Sequence, residues 1–310
     1  MYEWNINLQR ELVRNLVLSV AYVGGKGTYV DVVGLNINQA VPGPGPVVAR
    51  RPYPNLSDAT GVAPWGNSIY NSLQTTFERR MGAVRFSGAW TWAHSIDDTS
   101  GESSNSPIQD SRNLAAQRAS STFDVRHKLA ISGTFELPFG KGRHWLSTPA
   151  RSVQWLAGGW QINTIGTFQT GLPFTPTMQT NNLNTGTGSQ FPNRIASGEL
   201  PSATRTIDRW FDASAFVAPG QYIFGNSGRN VLYGPGTRQI DVSLFKSFTF
   251  AESRRVEFRA EAFNALNTPQ FNNPSSSIGF AGVARITTAG SPTVYQRTSR
   301  QIQLALKVYF

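Results

Sequence analysis

The chain has 310 residues, of which 15% are charged and 12% aromatic, with 29 glycines and no cysteine. Soluble domains carry about 25% charge, so this mixture argues against a soluble helical enzyme and for many strands joined by polar loops. Lack of cysteine excludes a Cys-type zinc site. The net charge of +10 is spread thinly, with no basic run of the kind that binds nucleic acid.

No window holds the 18 or more uninterrupted apolar residues of a membrane helix. Residues 1–12 lack the basic-then-apolar pattern of a signal peptide, so an export signal is expected outside this sequence. In chain order, alternation begins at once. Tyr2, Trp4, Ile6 and Leu8 occupy one side of a strand and residues 10–15 turn the chain. Leu16, Leu18, Val20 and Tyr22 form the next strand, which is expected to end at a hairpin turn, Gly24-Gly25-Lys26-Gly27. That turn is no phosphate loop, since the Gly-Lys-Ser/Thr spacing is missing. Residues 40–66 are rich in Pro and Gly and predict a long loop.

A second hairpin follows. Ile69, Leu73 and Phe77 mark one arm, residues 79–83 the turn, and Val84, Phe86, Gly88, Trp90 and Trp92 the other arm. Residues 95–124 are too polar for a strand. Leu129, Ile131, Phe135 and Leu137 resume the alternation, which closes at residues 138–142. Trp160, Ile162, Thr164, Gly166 and Phe168 form another strand, and residues 171–237 are irregular with room for short strands. Ile240, Val242, Leu244 and Phe248 alternate, the chain turns at residues 251–254, and Val256, Phe258, Ala260 and Ala262 return. A weak segment at residues 284–289 precedes the last strand, where Ile302, Leu304, Leu306, Val308 and Phe310 face one way.

The expected fold is all-β: a transmembrane antiparallel β-barrel wall of about 10–12 strands. Strands near ten residues exceed the five or six of globular sheets and match the ~9–11 that cross a bilayer at a tilt. Tight turns and very long loops also differ sharply in length, as at the two rims of an outer-membrane barrel. In hydrocarbon every backbone N–H and C=O needs an internal partner, so a sheet spans only when its edges are closed. On this reading Ile302, Leu304, Leu306, Val308 and Phe310 face lipid. Asp241, Glu257, Arg259 and Glu261 face the lumen, where charges stay hydrated. Trp4, Tyr22, Trp90, Trp92, Tyr309 and Phe310 are expected in aromatic girdles at headgroup level.

No pattern points to covalent chemistry, a cofactor or a metal. His94, His127 and His144 are widely spaced; Ser132 and Asp124 near His127 are the nearest approach to a hydrolase set, without a signature. Asp97, Asp98, Glu102 and Asp110 form an acidic loop cluster whose spacing does not match a calcium loop.

Four longer stretches carry a resemblance: FDVRHKLAISGTFELPFGKGR (123–143), GGWQINTIGTFQTGLPFTP (158–176), FGNSGRNVLYGPGTRQIDVSLFKSF (224–248) and VEFRAEAFNALNTPQFNNP (256–274). In this order they resemble the barrel of TonB-dependent transporters, nearest the Oar-like group with a carboxypeptidase-regulatory-like domain. Phe263-Asn264-Ala265-Leu266-Asn267 is similar to the turn such barrels carry two strands before their end. The resemblance covers most of residues 69–310. It implies a Gram-negative outer-membrane location and energised uptake of a bulky nutrient, with selection in the long loops and lumen. It also implies a terminal strand, ending at Phe310, read by the barrel-assembly machinery. Such barrels have 22 strands and a plug, so residues 1–310 are expected to be the C-terminal part of one barrel domain. The TonB complex would then act through a plug that this stretch does not include. Rival readings are a passive porin-like channel and a surface or adhesion protein without transport.

Overall fold

The computed structural model describes residues 1–100, 107–186, 188–250, 254–290 and 298–310. Nine long strands make one antiparallel sheet in simple chain order. They are β1 (Tyr2–Val13), β2 (Leu16–Asn36), β3 (Thr60–Arg79), β4 (Val84–Asp97), β5 (His127–Glu136), β6 (Trp160–Gln169), β7 (Thr237–Thr249), β8 (Arg255–Phe263) and β9 (Gln301–Tyr309). A tenth, two-residue strand at Ala119–Ser120 pairs the end of β4. The sheet's free edges are β1 and β9, which do not pair with each other.

Period-two alternation becomes two chemically distinct faces because the register carries each row straight across the sheet. One row reads Val84, Phe135, Ile162, Leu244, Ala260, Leu304 from β4 to β9. The neighbouring row, one residue along, reads Arg85, Thr134, Asn163, Ser243, Glu261, Gln303. A slip of one residue in any strand would interleave the two sets.

Connections sort by rim. Residues 14–15, 80–83, 137–159 and 250–254 lie at one end, and residues 37–59, 98–126, 170–236 and 264–300 at the other. Asn15 closes the first hairpin with φ 66°, and its N–H donates to the Glu11 carboxylate at 2.7 Å. The long loops at the far rim pack on one another and hold their own apolar core of Phe174, Phe211, Phe216, Leu232 and Ile278. Among the described residues their ladders are two residues long, Pro173–Phe174 with Leu232–Tyr233, Thr177–Met178 with Ser277–Ile278, and Asn193–Arg194 with Phe216–Val217, beside isolated bridges.

Several sequence expectations need correction. Gly24-Gly25-Lys26-Gly27 is not a turn: it lies inside β2, paired with β3 throughout and with β1 as far as Lys26. Gly24 is directly opposite Trp4, whose indole lies over the space a side chain would fill. Phe77 covers Gly88 in the same way; a glycine facing a ring gives the pair one shared volume. Residues 60–66 belong to β3, not to a loop, although Pro64 interrupts the ladder between Ala63 and Gly66. Bulges in β2 absorb the irregularity, with Tyr29 at φ 59° and Gly34 at φ 82°. β4 runs on through Ser95 to Asp97, and residues 284–289 form no strand, only the single bridge Phe271–Ala289. Tyr309 falls on the polar face, where Arg255 stacks on its ring at 4.2 Å. Of the expected turn at residues 251–254, only Arg254 is among the described residues.

Candidate functional site

The sheet brings the four predicted lumen residues onto one face. Glu261 lies opposite Ser243 and Gln303, Arg259 opposite Phe245 and Ala305, and Glu257 opposite Ser247 and Lys307. Asp241 shares their parity, opposite Ile165 on β6. The charges are not loose. Arg259 pairs with Glu257 at 2.5 Å and lies over the Phe245 ring at 4.4 Å. Asp241 accepts the Asn264 N–H at 2.7 Å, which ties the polar face to the loop that follows β8.

That loop begins at the predicted turn Phe263–Asn267. Asn264 is fully buried with φ 48°, a left-handed conformation that Asn tolerates well. Its amide donates to the Thr268 carbonyl at 2.9 Å and accepts the Thr268 N–H at 3.0 Å. One long wall strand, β9, follows this turn.

The long-loop rim is locked by a contact that periodicity could not reveal. Arg229, with 0% exposure, donates to the Asp97 carboxylate, the Asp97 carbonyl, the Ser100 hydroxyl and the Gln117 carbonyl. A buried guanidinium is tolerated only when its donors are met. Here the 170–236 loop reaches the end of β4. Nearby, Gln109, Asp110, Asn113, Phe191, Phe224 and Asn226 surround a cavity of about 200 Å³. Its wall is braced by the Gln109 amide, which accepts from the Phe191 and Gly225 N–H groups at 2.7 and 3.1 Å. At the same rim the Ser214 hydroxyl, bonded to Asp212, holds that carboxyl below its ordinary range.

The other sequence candidates are absorbed structurally. Arg126 has only donors, so Nε2 of His94 accepts from it at 3.1 Å and Nδ1 donates to Asp124 at 3.1 Å. Both ring nitrogens are therefore occupied. His127 stacks on Trp90 at 5.9 Å, and His144 packs beside Trp145. Ser132 bonds Ser87, and Asp124 serves His94, Arg126 and the Ser95 N–H rather than His127. In the acidic cluster, Asp97 pairs with Arg229, Asp98 with Arg118 and Asp110 with Arg112, while Glu102 lies outside the described residues. Among the described residues no three acidic or His side chains converge as a metal site would require.

The apolar set lies on the opposite face. Ile302, Leu304, Leu306, Val308 and Phe310 are all exposed at the β9 edge. Within β7 Lys246 breaks this face: it lies opposite Phe258 in the apolar register and is nonetheless buried. Its ammonium bonds the Gly158 carbonyl and lies 5.2 and 5.0 Å from the rings of Trp160 and Phe248. Lys246 interrupts Ile240-Val242-Leu244-Phe248, and that interruption was the signal available in the sequence.

Comparison with known proteins fits this geometry. The family described as outer membrane beta barrel domain matches residues 1–303. No curated protein matches the sequence. Among solved structures, the outer membrane transporter YddB from Escherichia coli matches at 11% identity and a TM-score of 0.48. The match covers 99% of this chain and 32% of that one, so the chain spans about a third of that protein's length. The chain belongs to the outer membrane β-barrel domain family, and its place is the outer membrane.

Proposed function

We propose that the nine strands form part of the wall of a larger, plugged transporter barrel of the TonB-dependent, Oar-like type, which takes up a bulky nutrient at the cost of cellular energy. The observation that carries this reading is the joining of a continuous polar face to a packed roof of long loops, through Asp241–Asn264 and Arg229–Asp97. A polar wall suits a lumen filled by water and a plug. A roof with its own core and a small cavity suits a selective mouth more than an open pore. The TonB-dependent assignment rests on the four stretches of sequence resemblance. The reading assigns no covalent step to any residue. It makes residues 1–310 part of the wall of one barrel domain.

The test is uptake of solutes too large for general porins, in cells with and without this protein and with and without TonB. Uptake is expected to fall to background in either deletion. Uptake that persists without TonB, together with steady conductance of the purified protein in planar bilayers, would replace this reading with a passive channel.

A further inference from the structure

The 137–159 connection is the odd member of its rim. The other three connections there are residues 14–15, 80–83 and 250–254, yet this one carries a seven-residue helix, α1 (Arg151–Ala157). We propose that this connection is a foot that binds the headgroup of an anionic glycerophospholipid in the adjacent leaflet.

Three observations carry the proposal. The first is where the foot rests. Trp155 of α1 packs on Phe248 at 5.9 Å and on Phe250 at 5.1 Å, and Phe248 belongs to the apolar face of the wall. Trp160 donates its indole N–H to the Leu156 carbonyl at 2.8 Å, which fixes the helix against β6. Thus the foot lies on the lipid side of the wall at its rim, where aromatic rings meet headgroups.

The second observation is an amphipathic composition with nothing covering its apolar part. Trp145, Leu146, Val153 and Trp155 are exposed, and Leu156 is 77% exposed. Residues 137–159 contain Lys141, Arg143 and Arg151 and no acidic residue. A short segment with basic groups beside exposed Trp and Leu settles into the boundary between headgroups and acyl chains.

The third is a shaped cavity of about 560 Å³, lined among others by Lys141, Ser147, Thr148, Arg151, Trp155 and Phe248. Arg143 is spent on Glu136 at 2.6 Å. Lys141 and Arg151 have no carboxylate partner among the described residues, so two cations and two hydroxyl residues line the cavity that a phosphate would enter. Trp155 and Phe248 offer the apolar surface along which the glycerol and first methylenes would run. Beside them Lys246 is held by Gly158, so it shapes the wall rather than the headgroup contact. With short turns at the periplasmic rim, the ligand is a phospholipid of the inner-facing leaflet. This inference rests on that orientation and not on transport.

The protein, extracted from outer membranes in mild detergent, is given an equal mixture of phosphatidylglycerol and phosphatidylcholine and weighed by native mass spectrometry. Wild type is expected to retain phosphatidylglycerol preferentially. The Lys141→Gln/Arg151→Gln variant should lose that preference roughly tenfold, the scale of one to two surface charges facing an anionic lipid. Lys141→Arg/Arg151→Lys should keep it, and excess inorganic phosphate should not displace the lipid. Equal retention of both lipids by wild type would overturn the proposal without reference to any variant. So would unchanged preference in the Gln variant, or displacement by phosphate alone.

Discussion

At the scale of the residue, identity matters only together with face. Ser243 and Leu244 are neighbours on β7, yet one sits between Asn163 and Glu261 and the other between Ile162 and Ala260. Leu244→Arg is expected to cost about 2–4 kcal/mol, the range for a cation placed on a lipid face near the midplane. Ser243→Arg should change stability by no more than about 1 kcal/mol, since its row is already polar. Urea unfolding of the protein in vesicles measures both, and equal costs would contradict the assignment of faces. Arg229 poses a different question, because its charge is buried against Asp97. Arg229→Met should destabilise the loop roof by about 3–5 kcal/mol, since Asp97 is left uncompensated. Adding Asp97→Asn should restore part of that loss. Limited proteolysis within residues 170–236 reads the effect, while the wall strands stay protected.

At the scale of the element, the wall was legible wherever a bilayer imposes its chemistry. The rows through Leu244 and Leu304 repeat every two residues because a lipid face admits little else. The misreadings cluster where that constraint ends. β2 has 21 residues and β3 has 20, so each extends roughly 65–70 Å against a hydrocarbon core of about 30 Å. Their distal halves stand beyond the membrane, where water can satisfy any gap in the ladder. Pro64, Gly34 and the bulge at Tyr29 are tolerated there, and the composition of residues 60–66 imitates a loop. Glycines misled for a related reason: Gly24 reads as a turn residue, but its role depends on Trp4, a partner set by register. Arg229–Asp97 was illegible because 132 residues separate its members and neither lies in a periodic stretch. The β2–β3 ribbon carries a prediction of its own. An epitope inserted at the exposed Tyr53 should be labelled by antibody on intact cells. The same epitope in residues 80–83 should be labelled only after the outer membrane is opened.

At the scale of the whole molecule, the sheet is polar on one face, apolar on the other and open along β1 and β9. An unpaired backbone group in hydrocarbon costs on the order of several kcal/mol, so both edges must find partners in the membrane. The proposed larger barrel would supply them, and the loop roof at one rim and the basic foot at the other would then face different compartments. The central claim is the sidedness of the wall, and the lack of cysteine makes it directly measurable, since an introduced thiol is unique. Spin labels placed one at a time along β7, from Asp241 to Ser247, would be tested for collision with dissolved oxygen and with a water-soluble nickel chelate. The account predicts strict alternation: oxygen access at Val242 and Leu244, nickel access at Asp241, Ser243 and Phe245, and protection from both at the buried Lys246. Uniform nickel access, or alternation of the opposite sense, would contradict it.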